Sequence, residues 1–300
     1  MQYIAYRTYW RGSLVPPLID QHITDVATAR WGAVRNPRLA EIVRALIGHL
    51  HDFARDVQLT EQEWATAMDW LTRAGQISDD KRSELILASD VLGLSMLVVE
   101  MNYALHPGAT SAAVFGPFHI EGSPELEFGA DMAYGVPGEP LYIVGTVRDL
   151  DGRAIGGATL DVWQADADGM YEAQLDTAEA RLRGKYTSRP DGTYCVRTVA
   201  PRGYSIPMDG PVGELISRTG ISHFRPAHVH FRISAPGYEP LTTHLFQKNA
   251  AYLESDVVFG TKADLVVEFQ RRPPGSTPDG RTSDVPWLLA TYVFVLQPLP

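Results

Sequence analysis

The feature that most constrains this chain is a change of hydrophobic period at His106-Pro107-Gly108. Before it, apolar residues recur every three to four positions. Leu39, Ile42, Val43, Leu46, Leu50, Phe53 and Val57 form one stripe of a helix. Thr60-Glu61-Gln62-Glu63 is a capping box opening a second helix, with Trp64, Met68 and Leu71 on its inner face. A third helix is expected over 81–104, and its Leu and Val content implies burial on more than one side. After the Pro-Gly break, short β-segments alternate with turn signals such as Asp151-Gly152 and Pro190-Asp191-Gly192. Strands are expected at 142–148, 159–164, 192–199, 228–234, 242–246, 266–269 and 287–296. The stretch 271–286, with four prolines, is expected to be a surface loop. Strands without intervening helices point to a β-sandwich or barrel.

The expected organisation is therefore mainly β with α: an N-terminal arm (1–20), a helical region (21–106) and a β-sandwich catalytic domain (107–300). The helical array serves either as a dimerisation domain or as an ordinary intramolecular bundle. The arm, with Tyr3, Tyr6, Tyr9 and Trp10, either packs on a neighbour or is a disordered leader. It has no basic segment followed by an apolar one, so it does not read as a signal peptide. No apolar run approaches the roughly 20 residues that span a bilayer.

The formal net charge of −10 and the lack of a basic stripe argue against nucleic-acid binding. The single cysteine, Cys195, cannot form an intramolecular disulfide. That fits a reducing, cytoplasmic location, although a cysteine-poor secreted protein would look the same.

The sharpest local motif is Arg225-Pro226-Ala227-His228-Val229-His230-Phe231. Residues two apart on a strand share a face, so His228 and His230 can bind one metal; two strand histidines can equally be structural. A cupin would need a glutamate shortly afterwards, where Ser234 and Ala235 stand. Tyr171 and Tyr204 lie in expected loops. Each is a packing residue or, beside a hard trivalent cation, a phenolate ligand. Two phenolates and two neutral imidazoles would suit iron(III).

The ordered set Leu160-Asp161-Val162-Trp163-Gln164, Tyr171, Tyr204, Arg225 to His230 and Ser234-Ala235-Pro236-Gly237 closely resembles the intradiol ring-cleavage dioxygenases, over about residues 20–270. Within that family the chain is most similar to the hydroxyquinol branch. The stretches that carry this likeness are Leu87-Ala88-Ser89-Asp90, Val114 to Phe118, Glu121 to Pro124, Ile206 to Gly213 and Val258 to Lys262. His244 stands where catechol enzymes typically carry glutamine. Two features depart from the hydroxyquinol pattern: the catechol-like wording around His228, and the run Phe118-His119-Ile120.

The resemblance implies one Fe(3+) per chain, held by Tyr171, Tyr204, His228, His230 and a solvent hydroxide. It implies that Tyr204 leaves the metal to accept a proton when the diol binds. Both atoms of O2 would enter the substrate, an aromatic diol or triol, and the ring would open between adjacent hydroxyl-bearing carbons. Arg225 would be catalytic, stabilising charge on the substrate. Leu87, Asp90, Val114, Phe115, Gly116, Pro117, Ile206, Pro207, Arg225 and Val258 would line the substrate pocket. Asp90 would either bond the third hydroxyl of hydroxyquinol or serve as a core hydrogen-bond partner. A homodimer is implied, with a lipid conceivable at the helical region. The alternatives are a catechol or chlorocatechol 1,2-dioxygenase and, in a different class, a non-catalytic β-sandwich binding module.

Overall fold

The structure is a computed structural model, and it describes residues 18–79, 82–103, 106–175, 177 and 179–299. The four aromatic residues of the expected arm lie outside these. The chain separates into two compact units, Met1–Asp69 and Trp70–Pro300.

The first unit contains α1 (Leu18–Gly32), α2 (Pro37–Asp56) and the start of α3 (Glu61–Ile77). Asn36 caps α2 by accepting from the Leu39 amide at 3.1 Å, and Pro37 follows in the first turn, where its missing N–H costs nothing. The capping box of α3 forms reciprocally. The Glu63 amide donates to Thr60 Oγ1 at 3.2 Å, and the Thr60 amide donates to Glu63 Oε2 at 2.9 Å. The apolar stripe of α2 does not face inward: Leu39, Ile42, Leu46, Leu50, Phe53 and Val57 are 45–55% exposed. Trp64, Met68 and Leu71, expected on the inner face of α3, are also exposed. A helical period identifies an apolar face but does not say whether that face is covered by its own chain.

In the second unit the helix expected over 81–104 is two helices, α4 (Glu84–Val91) and α5 (Leu94–Tyr103). Ser83 caps α4, and Gly93 ends it with φ +75, a conformation that costs other residues strain. The strands are β1 (Pro140–Asp149), β2 (Thr159–Trp163), β3 (Arg183–Thr187), β4 (Thr193–Val199), β5 (Tyr204–Ser205), β6 (Phe224–Arg225), β7 (His228–Ser234), β8 (Leu241–Gln247), β9 (Val266–Val267), β10 (Gln270–Arg272), β11 (Gly275–Ser276), β12 (Thr282–Ser283) and β13 (Trp287–Leu296). A short helix, α6 (Pro211–Ser217), follows β5. One sheet has the order β10-β13-β1-β4 and the other β3-β2-β7-β8-β9, with small ladders β11-β12 and β5-β6. The stretch 271–286 is thus not simply a loop. Gln270–Arg272 pairs with β13 as an exposed edge, and a small hairpin follows.

A single apolar core joins the two large sheets. Leu141, Ile143, Val196 and Phe294 from one meet Leu160, Val162, Val229, Phe231 and Ile233 from the other. Burying each such side chain contributes about 1.5–3 kcal/mol. On β7 the core residues are Val229, Phe231 and Ile233, so His228 and His230 must project from the opposite face. A one-residue slip would exchange the two sets and lose all three core side chains. The fold's stability therefore also sets the direction of both histidines.

Candidate metal centre and substrate cavity

Register aligns the site across three strands. Trp163 on β2 pairs with His230 on β7, and His230 pairs with His244 on β8. Tyr171 arrives from the turn after β2, where its amide donates to the Gln174 side chain at 2.9 Å and its ring stacks on Phe118 at 4.6 Å. Tyr204 arrives from β5. Gly169, at φ +84, passes so close to it that an added Cβ would lie 2.6 Å from Tyr204 Cβ.

These elements bring four buried donor atoms to one point. Tyr171 Oη lies 2.9 Å from His230 Nε2, 3.4 Å from His228 Nε2 and 3.3 Å from Tyr204 Oη. The two imidazole Nε2 atoms are 3.1 Å apart. Pro226 carbonyl accepts from His228 Nδ1 at 2.7 Å, so that ring's Nε2 presents a lone pair. Burial, and then the charge of Arg225, hold His228 well below the usual histidine value, which keeps it neutral. Burial pushes the Tyr171 phenol well above its ordinary value, so only a strong local cation would remove its proton.

The donor set fits a metal ion. Ligands about 2.1 Å from a common centre, at roughly 90–110° to one another, stand about 3.0–3.4 Å apart, close to the separations seen here. His244 also approaches, and His228, His230 and His244 have ring nitrogens within 4.8 Å of one another. His244 is nevertheless poorly placed to bind. Its Nε2 donates to Val114 carbonyl at 2.8 Å, and its Nδ1 accepts from Arg225 Nη2 at 3.4 Å.

Arg225 sits directly opposite Tyr204 in the β5–β6 ladder. Its guanidinium donates to Asp256 through Nε (3.0 Å) and Nη2 (3.2 Å), and Nη1 is 3.2 Å from His228 Nε2. Burial alone would lower the Arg225 pKa, but the charge and hydrogen bond of Asp256 and the nearby phenols of Tyr204 and Tyr171 together outweigh it and the value is raised. Burial would likewise raise the Asp256 carboxyl, but Arg225 holds it below the carboxylate range. Amides of Val258 and Gly260 also donate to Asp256. No sequence signal marked Asp256, because it lies in an irregular segment 31 residues beyond its partner.

Beside the donors lies a mostly apolar cavity. Leu87, Asp90, Val114, Gly116, Pro117, Ile206, Pro207, Arg225 and Val258 are among the residues that line it. Tyr204 opens onto this cavity, whereas Tyr171 does not line it. Phe115 is also absent from the lining. Just before Gly116, its ring packs instead on His119 (4.7 Å) and Trp163 (5.5 Å). Phe118 lines the cavity in its place, as do Arg82, Ser83 and Glu84. Arg82, Ser83 and Glu84 stand at the start of α4, with Glu84 one turn before Leu87, so the helical period was the signal that could have found Glu84. Burial raises the Asp90 carboxyl above its usual value, opposed by the nearby Ser95 hydroxyl and by the Arg225 charge.

Known proteins place this architecture. The "Catechol dioxygenase N terminus" family model matches residues 36–110, and the "Dioxygenase" model matches 115–297. A 6-chlorohydroxyquinol 1,2-dioxygenase of Cupriavidus pinatubonensis is 50% identical over 259 residues, 86% of this chain and 94% of that protein. A hydroxyquinol 1,2-dioxygenase of Nocardioides simplex is 44% identical, over 93% of this chain and 96% of that one. The crystal structure of hydroxyquinol 1,2-dioxygenase from Pseudomonas putida DLL-E4 superposes with a TM-score of 0.87 at 43% identity, covering 94% of this chain and 99% of the other. The chain belongs to the intradiol ring-cleavage dioxygenase family, and its likeness runs to the hydroxyquinol enzymes.

Proposed function

We propose that this protein is a hydroxyquinol 1,2-dioxygenase. It inserts both atoms of O2 into benzene-1,2,4-triol and opens the ring between the adjacent hydroxyl-bearing carbons. The product is 3-hydroxy-cis,cis-muconate, the tautomer of maleylacetate. The observation that carries this reading is that Tyr204, Arg225 and Asp90 share one cavity: a donor at the metal point, a fixed cation and a buried carboxylate face the same substrate space.

Tyr171, Tyr204, His228 and His230 would hold one iron(III) per chain. When bound, that ion supplies the covalency with the diolate that lets O2 react with the aromatic ring. The two tyrosines divide the work. Tyr171 is fixed by Gln174 and Phe118, and stays in place. Tyr204, on the cavity wall, takes up a diol proton at Oη as substrate enters. Arg225 cannot swing away from Asp256 without leaving a buried charge unpaired, so its guanidinium is a preorganised stabiliser of negative charge on the substrate. Leu87, Val114, Ile206, Pro207 and Val258 exclude water from the ring, and Asp90 accepts from the third hydroxyl.

The chain is read as a cytoplasmic homodimer, with the helical part over 21–106 as the dimerisation region. The half-exposed stripe of α2 and the exposed Trp64, Met68 and Leu71 of α3 support a second copy there. Among the described residues no helix is long and apolar enough to cross a membrane. Light scattering at micromolar concentration tests the dimer.

Oxygen uptake with hydroxyquinol, 6-chlorohydroxyquinol and catechol, with products identified, tests the activity. The highest kcat/KM is expected on a triol. Preference for catechol would replace the substrate assignment with a catechol 1,2-dioxygenase, and no uptake on any diol would remove the catalytic reading.

A further inference from the structure

The two histidines at the metal point are held in different ways. His228 donates Nδ1–H to Pro226 carbonyl, a usual means of fixing a metal-binding imidazole. His230 Nδ1 is buried, with no hydrogen-bond partner among the described residues. Its ring is held by packing. Trp163 stacks on it at 4.7 Å with planes 15° apart, and His244 meets it edge-on at 4.2 Å.

The indole is itself braced. His119 meets Trp163 edge-on, with centroids 4.6 Å apart. His119 Nε2 is 3.0 Å from Asp161 Oδ2, and their side chains are only 3% and 8% exposed. Asp161 and Trp163 are two apart on β2 and share a face of the sheet. Burying a polar histidine–carboxylate pair carries a desolvation cost that apolar side chains would avoid, so filling space does not account for it. What the pair adds is a direction: a hydrogen bond fixes the rotation of the His119 ring, and a ring of fixed rotation fixes its neighbour.

We propose that His119 and Asp161 are positioning residues for His230, acting through Trp163. Asp161 sets the His119 ring, the His119 edge sets the indole, and the indole face sets the plane in which His230 Nε2 is presented. Neither residue lines the substrate cavity, so the effect reaches the reaction only through His230. The inference rests on the metal-centre reading above.

The test uses the full-length enzyme and compares wild type with His119→Phe, His119→Gln and Asp161→Asn. Iron content, iron transfer to a chelator, the tyrosinate-to-iron absorption band and thermal melting are measured on each. Wild type is expected to hold iron and show the band. His119→Phe keeps an aromatic edge but loses the bond to Asp161. It should fold, bind iron about 10–100-fold more weakly and shift the band. His119→Gln, which can still donate to Asp161 but has no ring edge to set against the indole, should lose affinity and shift the band as His119→Phe does. Asp161→Asn keeps the side-chain shape with a weaker acceptor and should shift both in the same direction by less, which keeps the test decisive if His119→Phe does not fold. Variants that lower only the melting temperature, with iron affinity and band unchanged, overturn the inference, as does a Gln variant that matches wild type. Wild type without iron would overturn the metal-centre reading itself, a separate result.

Discussion

Tyr204 and Arg225 lie directly opposite each other in the two-residue ladder β5–β6. The phenol at the metal point and the guanidinium facing the cavity are therefore carried by one small piece of sheet. A shift of that ladder would move both together, and Asp256 anchors it through Arg225. This relationship ties the chemistry to a buried ion pair, and its consequences can be measured.

The first concerns that ion pair and pH. Asp256 is held below the ordinary carboxylate range, so the unfolded chain binds its proton more readily than the native state does. Its contribution to stability is present above about pH 4 and is lost as pH falls through the lowered native value. Asp256→Ala leaves Arg225 buried and unpaired, which costs about 3–5 kcal/mol. Denaturant unfolding from pH 3 to 7 should show a large deficit for the variant at pH 7 that narrows towards pH 3. A deficit independent of pH would mean that the pair does not act as described.

Gly169 provides a steric prediction. Gly169→Ala adds a methyl group where a Cβ would lie 2.6 Å from Tyr204 Cβ, at a φ of +84 that is itself unfavourable for alanine by about 1–2 kcal/mol. The backbone must shift, and Tyr204 shifts with it. The variant should fold with a lower melting point, and its kcat should fall by more than its KM rises. Wild-type kcat would show that the Tyr204 position tolerates displacement.

For the metal, His228→Ala and His230→Ala each remove one donor from the four-donor point. Elemental analysis should give about one iron per wild-type chain and a substoichiometric content for both variants, with activity lost in parallel. Stoichiometric zinc without iron in active protein would contradict the assignment.

Much of this site was legible from residue spacing. His228-Val229-His230 is a period-two pattern, and core burial of Val229, Phe231 and Ile233 gave that pattern a direction. The strand expected at 287–296 coincides with β13. What spacing could not supply were contacts made across the fold. Asp256 reaches Arg225 from a segment without periodicity, and His119 finds Asp161 from 42 residues away. The short strands β3, β5 and β6 were missed for a related reason. β5 and β6 have two residues each, too few to display alternation, and β3 (Arg183–Thr187, RGKYT) carries a single large apolar side chain, so long-range pairing partners specify all three. The exposed stripe of α2 shows the converse: its period was plain, but a single chain does not reveal what covers it.

Asp90 makes the last prediction. It is 3% exposed on α4, on the wall of a cavity otherwise lined largely by apolar groups. Burial raises its carboxyl above the usual value, so the native state binds this proton more tightly than the unfolded chain does. Asp90 therefore weakens the fold increasingly as pH rises past the ordinary carboxylate value of about 4, a cost that makes sense if the group serves recognition. A third substrate hydroxyl would satisfy it, whereas catechol leaves it unpaired, a mismatch of about 1–3 kcal/mol, or roughly 5- to 150-fold in kcat/KM. Asp90→Leu should bind iron normally, melt at a higher temperature at pH 7, and lose most of the preference for hydroxyquinol while keeping or gaining activity on catechol. Steady-state kinetics on both substrates, with iron content checked, decide the matter. A variant that kept the full preference would assign selection to another residue on the cavity wall, and one that melted lower would mean that Asp90 is a structural polar group of the core rather than a group held for the substrate.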